Sequence, residues 1–331
     1  MADHISIEEF KKEASAWLEK NAQKKLPASQ QEAVWGEGDF SVSVFHNLSF
    51  DEEKTLLKQA TDWQMAKAEH GYHAITWPVE HGGLGLPIEY SRAFANLESS
   101  YITPSRHETF SVTTRLIAPT LSHYGTPEQK EELLIPLLTA EILCCQLFSE
   151  PGSGSDLAGL GCKAIRDGDE WVINGQKVWS SGAQFSQWGE LIARSHLDQP
   201  KHKGMTAFMV PMDAPGIEVR QIKQMSGGTS FNEVFFNDVR IPDTLRLGPE
   251  GEGWAVSLTT LSFERDHSDS DGGGRAGGSW NQLLGSAKSL GALDDPQIRQ
   301  RLMEVYTQTQ IQRWVNRRSA DIRKTGRQPG P

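Results

Sequence analysis

Residues 147–182 read LFSEPGSGSDLAGLGCKAIRDGDEWVINGQKVWSSG, and this stretch decides the fold. A short apolar segment runs into Ser149-Glu150-Pro151-Gly152-Ser153-Gly154-Ser155-Asp156. Short runs at 163–166, 170–173 and 176–179 follow, separated by Asp167-Gly168-Asp169 and Asn174-Gly175. Brief alternating runs between turn signals predict strands, and Asn-Gly predicts a hairpin. Gly152 and Gly154 would let backbone N–H groups approach an anion, and Ser153 and Ser155 would add hydroxyl donors. The same composition also makes an ordinary surface turn. Trp179 beside Ser180 and Ser181 can cover one face of a flat ring and bond its edge. It also fits a half-buried strand residue.

Outward from this centre, the chain has 331 residues, room for two or three domains. Its formal charge of −10 argues against a nucleic-acid partner. Cys144, Cys145 and Cys162 are odd in number and two are adjacent, so they read as core thiols in a reducing compartment rather than a disulfide framework. The N-terminus enters a charged amphipathic stretch with no apolar leader, and no run reaches the roughly 18–20 apolar residues that span a bilayer. A cytoplasmic protein without a membrane partner is the expectation.

Ile7, Phe10, Ala14, Trp17 and Leu18 recur at helical spacing, and Phe50-Asp51-Glu52-Glu53 opens a second helix. A glycine-rich break at 75–85, a helix at 90–98 and a helix start at Thr126-Pro127 follow. From about Cys144 the period becomes strand-like and continues through 191–194, 206–210, 217–222 and 233–236, a pattern for a small β-barrel or sandwich. After Gly253 two helices are predicted, at 254–265 and 295–323. The second carries apolar residues on more than one face, so it needs neighbours to cover them. The 269–278 loop between them has glycines, but their spacing fits no phosphate-loop fingerprint. The expected fold class is α+β multidomain: an N-terminal helical domain (1–143), a central β-barrel or sandwich domain (144–245) and part of a C-terminal helical bundle (246–331). Glu69-His70-x-x-His73 places two histidines at i,i+3 on a helix but offers no clear third ligand, so no metal is expected.

The Glu-Pro-Gly-x-Gly-Ser-Asp turn, followed at this distance by Asn-Gly-x-Lys-x-Trp-x-Ser, resembles the central flavin-binding strands of the acyl-CoA dehydrogenase family. The segments Pro78-Val79-Glu80-His81-Gly82-Gly83-Leu84-Gly85, Gly125-Thr126-Pro127-Glu128-Gln129-Lys130 and Phe235-Phe236-Asn237-Asp238-Val239-Arg240-Ile241-Pro242 resemble other parts of that family, in the same order. The resemblance covers nearly the whole chain.

What the resemblance implies is FAD-dependent α,β-dehydrogenation of an acyl-CoA thioester. A carboxylate takes the α-proton while a β-hydride passes to flavin N5, and the electrons continue to an electron-transfer flavoprotein. Carried over residue by residue, Gln146, Phe148 and Ser149 would face the flavin pyrimidine edge. Gly154 belongs to the same cofactor-binding turn, and Ser155 would lie near the FAD diphosphate or the CoA phosphates. Trp179 would cover the ring, with Ser181 donating toward N5. Many members carry the base near the C-terminus, beyond Pro331 here. A minority carry it on the helix after the β domain, where Glu264 matches, and Arg265 matches a position that contacts CoA. Without the resemblance, Glu264-Arg265 reads as a solvated charge pair.

Two departures accompany the match. The family's Arg-x-x-Phe-Gly motif is replaced by the 269–278 loop, as in some bacterial members that act on bulky or steroid-type side chains as mixed tetramers. The last bundle is only about half supplied, so a homo- or hetero-oligomer, a dimer of dimers, is expected. The alternatives are a flavin monooxygenase or oxidase on the same scaffold, or a catalytically silent subunit that completes a partner's site.

Overall fold

The hydroxyl of Ser6 accepts from the Glu9 N–H and starts α1 (Ile7–Asn21), whose Phe10, Ala14, Trp17 and Leu18 are buried. In the computed structural model, residues 5–26, 48–105, 107–264 and 280–327 are described. They fall into two compact units, one of Met1–Lys25 with Phe45–Asp266 and the other of Leu26–Val44 with His267–Pro331.

In the first unit, two-residue strands β1 (Gln23–Lys24) and β2 (Tyr101–Ile102) pair antiparallel. A Ser49–Glu52 capping box opens α2 (Phe50–Ala68), and α3 (Ile88–Glu98) packs on α1 through Tyr90 and Phe94. The helix α4 (Glu108–Ser111) runs through a π-helical stretch, Val112–Ile117, into α5 (Ala118–Tyr124). Thr126 and Gln129 form the capping box of α6 (Pro127–Leu138), with Pro127 at the first position as expected. His70 and His73 lie in turns beyond the end of α2, not on one helical face. Among the described residues no group of three or more His, Cys, Asp or Glu could hold a metal ion.

The β region is one eight-stranded sheet: β3 (Cys144–Leu147), β4 (Lys163–Asp167), β5 (Glu170–Ser181), β6 (Trp188–Arg194), β7 (Met205–Pro211), β8 (Ile217–Ile222), β9 (Phe231–Pro242) and β10 (Arg246–Leu247). Its order is β10-β7-β6-β4-β5-β9-β8, with β3 parallel to β6. It does not close into a barrel among the described residues. It curls enough that Trp171 of β5 meets Phe208 of β7 edge to face at 5.3 Å, although two strands separate them. Alternate residues therefore fill two cores. Cys145, Leu191 and Phe208 point into the curl, while Cys144, Ile192 and Met209 face the helices. The last helix of the unit, α7 (Gly253–Glu264), buries Gly253, Val256, Ser257 and Thr260 at i, i+3, i+4 and i+7. It packs on β7 and on the 112–124 helical run.

The hairpin expected at Asn174-Gly175 is absent. The strand β5 runs straight through it and pairs with β9 on both sides. Between the pairs Ile173↔Val239 and Gly175↔Phe236, β9 has one extra residue, and Asp238 takes a φ of 50° there. The Asn174 side chain bridges this bulge. Its Nδ2 donates to Asp238 Oδ1 and its Oδ1 accepts from the Asp238 N–H, each at 2.9 Å. Glycine is required at 175 because a Cβ would lie 2.7 Å from Cys162 Cα. The turn is made instead by Asp167-Gly168-Asp169, between the antiparallel strands β4 and β5.

The second unit holds α8 (Trp280–Ser289) and α9 (Pro296–Lys324), with Trp280 and Tyr306 rings 5.1 Å apart. Ile311, Trp314 and Val315 of α9 remain exposed. No helix among the described residues is long and apolar enough to cross a membrane.

Substituting Gly175→Ala forces a methyl group against the Cys162 backbone. We expect a loss of about 1–3 kcal/mol in denaturant unfolding, the usual range for overpacking. A loss within roughly 0.5 kcal/mol, typical of a surface site, would show that the two strands part easily there.

Candidate active site

The two halves of the 147–182 stretch meet through a buried lysine. Lys177 is fully buried on β5, and its Nζ donates to the Phe148 carbonyl oxygen at 2.9 Å and to Glu150 Oε1 at 2.8 Å. The Glu150 carboxylate also accepts from the Gly161 N–H at 2.6 Å and the Cys162 N–H at 2.9 Å. One residue on, the Val178 N–H donates to the Ser149 carbonyl oxygen at 2.9 Å. The end of β3, the glycine-rich turn and the far end of β5 are thereby joined.

This junction brings most of the expected site residues to one edge of the sheet. Phe148 turns its ring into the helix-facing core, so what it offers a cleft is backbone. Gly152, Gly154 and Ser155 are exposed, and nothing lies within 4 Å of where a Cβ on either glycine would stand. Ser153 differs from expectation. It is buried, and its hydroxyl donates to the Asp156 carbonyl oxygen at 2.9 Å, holding the turn rather than facing a ligand. Lys201 pairs with the Asp156 carboxylate at 2.7 Å on the outside of the same turn.

Trp179 stands out from its strand. Between Lys177↔Val234 and Ser180↔Asn232, β5 has one residue more than β9, and Trp179 takes a φ of 63° at that bulge. A bulky residue in the left-handed region is a strained outlier, of the kind that concentrates at functional sites. The bulge leaves the indole 58% exposed, touching the Phe231 ring edge to face. Ser181 follows, half-buried, and then Gly182 with a φ of 61°, packed closely against Thr109 of α4.

Around this edge lie buried polar atoms with no partner: Gln146 Nε2, Ser180 Oγ, Asn232 Nδ2, Gln184 Oε1 and Thr109 Oγ1. Buried polar groups are nearly always bonded, so such a cluster marks where a polar ligand or ordered water completes the structure. An open glycine turn, a protruding aromatic face and a set of waiting polar atoms suit a flat, polar-edged group that carries phosphates. The residues present therefore fit FAD.

Glu264 ends α7 and is exposed. Arg265 lies outside the described residues. Glu108, the first residue of α4, approaches Glu264 electrostatically. Partial desolvation, then the Glu264 charge, raises the Glu108 pKa, while His107 lowers it. His107 caps α4, its Nδ1 accepting from the Thr109 N–H at 3.1 Å, which leaves Nε2–H to donate to Glu53 Oε1 of α2 at 2.8 Å. Both of these side chains are buried, so the start of α4 is anchored, while the Glu108 side chain itself is exposed.

From sequence alone no role falls to Lys177, although the motif contains it, nor to Glu108, Thr109, Asn232 and Glu190. Lys177 carried a signal, since it is two-residue-phased with the buried Trp171 and Ile173 and so points inward. Glu190 carried another, as a lone charge inside the apolar β6. A surface concavity of about 800 Å³ lies elsewhere, lined by Tyr124, Arg166, Asp243 and Arg246, and holds none of the expected site residues. Its cations are engaged: Arg246 bonds Asp243, holding its pKa down at about 2, and Arg166 pairs with Asp243 and Glu250.

Comparison with known proteins identifies relatives of this chain. Residues 46–141 match the family profile of the acyl-CoA dehydrogenase N-terminal domain, and 145–239 that of the middle domain. Acyl-CoA dehydrogenase IpdE1 of Mycolicibacterium smegmatis is 36% identical over 332 residues, covering 97% of this chain and 80% of that protein. The mitochondrial short-chain specific acyl-CoA dehydrogenase of Homo sapiens is 32% identical over 197 residues, covering 59% of this chain and 47% of that protein. A solved structure described as the Tcur3481-Tcur3483 steroid ACAD superposes with a TM-score of 0.72 at 26% identity, covering 99% of this chain and 79% of that one.

Replacing Lys177 with Met leaves the partly buried Glu150 without its cation. We expect a loss of roughly 3–5 kcal/mol in stability, the cost of breaking a buried pair from one side. The Lys177→Met, Glu150→Gln double variant should recover part of it. Equal stability of the wild type and the single variant in urea unfolding would mean that the pair does not hold the turn to β5.

Proposed function

This chain belongs to the acyl-CoA dehydrogenase family, and we propose that it carries out the FAD-dependent α,β-dehydrogenation of an acyl-CoA thioester. The observation that supports this reading best is the junction made by Lys177. It gathers the glycine turn, the Ser149 segment and the protruding Trp179 along one edge, where polar atoms stand buried and unpartnered. FAD, when bound, supplies the hydride acceptor.

The chain's own residues orient and deprotonate. Gln146 and Ser149 meet the polar edge of the ring system, with the backbone of Phe148 beside them. Gly154 and Ser155 give backbone and hydroxyl donors to phosphate oxygens. The Trp179 indole covers one face, and Ser181 donates to the ring edge. Glu264 takes the α-proton through a carboxylate oxygen, from the end of a helix seated on the sheet by Val256 and Thr260. Arg265 would meet the CoA portion, where a permanently charged fork suits phosphate.

The division into 1–143, 144–245 and 246–331, cytoplasmic residence and electron transfer to an electron-transfer flavoprotein belong to the same proposal. So does assembly into a homo- or hetero-oligomer, a dimer of dimers. The structural relative described above is named for two chains, and the exposed Ile311, Trp314 and Val315 of α9 suit an interface.

Anaerobic mixing with acyl-CoA thioesters, both straight-chain and bulky polycyclic, tests the reading. At least one should bleach the flavin absorbance. Glu264→Gln should keep FAD and bind the ligand while reducing the flavin roughly 10²–10⁴-fold more slowly, the range for a general base. Unchanged reduction in that variant moves the base to another carboxylate. A chain that no thioester bleaches is not a dehydrogenase of this class.

A further inference from the structure

Glu190 is fully buried in the middle of β6. Its register partners are Gln146 of β3 on one side and Met209 of β7 on the other. Paired positions on adjacent strands share a face of the sheet, and here that face is covered by α7. Glu190 Oε1 accepts from the Thr260 hydroxyl of α7 at 2.7 Å. Thr260 Oγ1 lies 3.0 Å from Thr120 Oγ1 of α5 and 3.3 Å from the Val256 carbonyl oxygen, so the carboxylate is its shortest contact. Glu190 Oε2 has no partner, and neither has Gln146 Nε2 one strand away.

A carboxyl so placed is costly. An apolar side chain of similar shape would need no partner and would pack as well. What Glu190 does that a leucine cannot is tie β6 to α7 by a directional bond, four residues before Glu264.

We propose that Glu190 is a positioning residue whose carboxyl fixes α7, and with it the base Glu264, against β6, the neighbour of the strand that presents Gln146. The proposal rests on the dehydrogenase reading given above. Burial pushes the Glu190 pKa up to about 8, with the Thr260 hydrogen bond pulling the other way. At neutral pH Glu190 therefore carries a proton. Oε1 keeps accepting from Thr260, and the proton on Oε2 is a donor on the face it shares with Gln146. The Gln146 amide can turn its oxygen to accept that proton. The groups around Glu190 do not supply a countercharge. Met209 comes from β7, Thr260 from α7, Thr120 from α5, and Gln146 and the Cys144 thiol from β3. That thiol is itself pushed well up by burial, then by Cys145 and Glu190. Above pH 8 a buried anion replaces the donor: the Thr260 bond holds, but Oε2 no longer has a proton to give on the Gln146 side and an unpaired charge is left in the core.

The sign of the linkage follows. Burial pushes the native carboxyl up to about 8, while the unfolded one stays near the ordinary value of 4.5. Between those values the native state binds the extra proton, so stability falls as pH rises through that window.

Two measurements on the full chain loaded with FAD test the proposal. In urea unfolding from pH 5 to 9, the wild-type midpoint should fall with pH relative to Glu190→Gln, which has no proton to lose. Parallel curves would overturn the buried titration. In stopped-flow flavin reduction by the thioester that bleaches best, the wild-type rate should fall above pH 8, and Glu190→Gln should lose that limb while keeping close to the wild-type rate at pH 7. Glu190→Leu and Thr260→Val, with FAD content and ligand affinity retained, should reduce the flavin roughly 10–100-fold more slowly, the scale of a misplaced catalytic group. Should Glu190→Leu not fold, Thr260→Val decides alone. Wild-type rates and pH profile in Thr260→Val would overturn the positioning role. Failure of every thioester to bleach the wild type would instead sink the dehydrogenase reading, and the unfolding curves would still report on Glu190.

Discussion

The site hangs on an ammonium group buried from solvent. Lys177 lies in the interior of β5 with its charge answered by Glu150 and its remaining hydrogen-bonding capacity directed at the Phe148 carbonyl. A buried charge is tolerable only when paired and bonded in good geometry, and removing one partner strands the other. That demand fixes more than the two residues. Glu150 can meet the lysine only if the turn after β3 folds back over β5. The same carboxylate then collects the Gly161 and Cys162 N–H groups, which sets where β4 begins. The glycine turn, the Ser149 carbonyl and the bulge at Trp179 are positioned by that one condition.

How much was legible in the sequence can be judged from particular elements. Helix starts at Phe50 and Thr126 were readable because first-turn acidity and capping are local chemistry. The change of period near Cys144 was readable for the same reason. Asn174-Gly175 misled because its turn preference is also local, while the structure uses both residues for non-local work. Asn174 closes a bulge with Asp238, 64 residues away, and Gly175 makes room for the Cys162 backbone. The strong hairpin signal lost to the pairing of a long strand with β9. The barrel-or-sandwich expectation was similarly incomplete. Short strands at close spacing do not say whether a sheet closes, and this one curls without closing.

The candidate site divides along the same line. The segments carrying Ser149 and Trp179 were readable because each is a contiguous motif. The groups that set their environment were not, since Thr109, Asn232, Glu108 and Glu190 are far from them in sequence and unremarkable in composition. Trp179 shows the limit of motif reading. An aromatic in a strand is ordinarily half-buried. Here an inserted residue and a left-handed φ swing it outward, and only the register with β9 reveals it.

The carboxylates carry the argument one step further. A solvated carboxylate is a weak base toward a carbon acid, and desolvation is what strengthens it. Glu264 is exposed at the end of α7, so on the dehydrogenase reading the dehydration must arrive with the substrate, as the acyl group fills the space before it. Glu108 then matters, since its own pKa is raised first by partial desolvation and then by the Glu264 charge. A carboxylate that loses solvent beside a like charge is pushed toward its protonated form, and Glu108 is so placed, with His107 pulling the other way. On the dehydrogenase reading, Glu108 therefore shapes the field in which the proposed base Glu264 works.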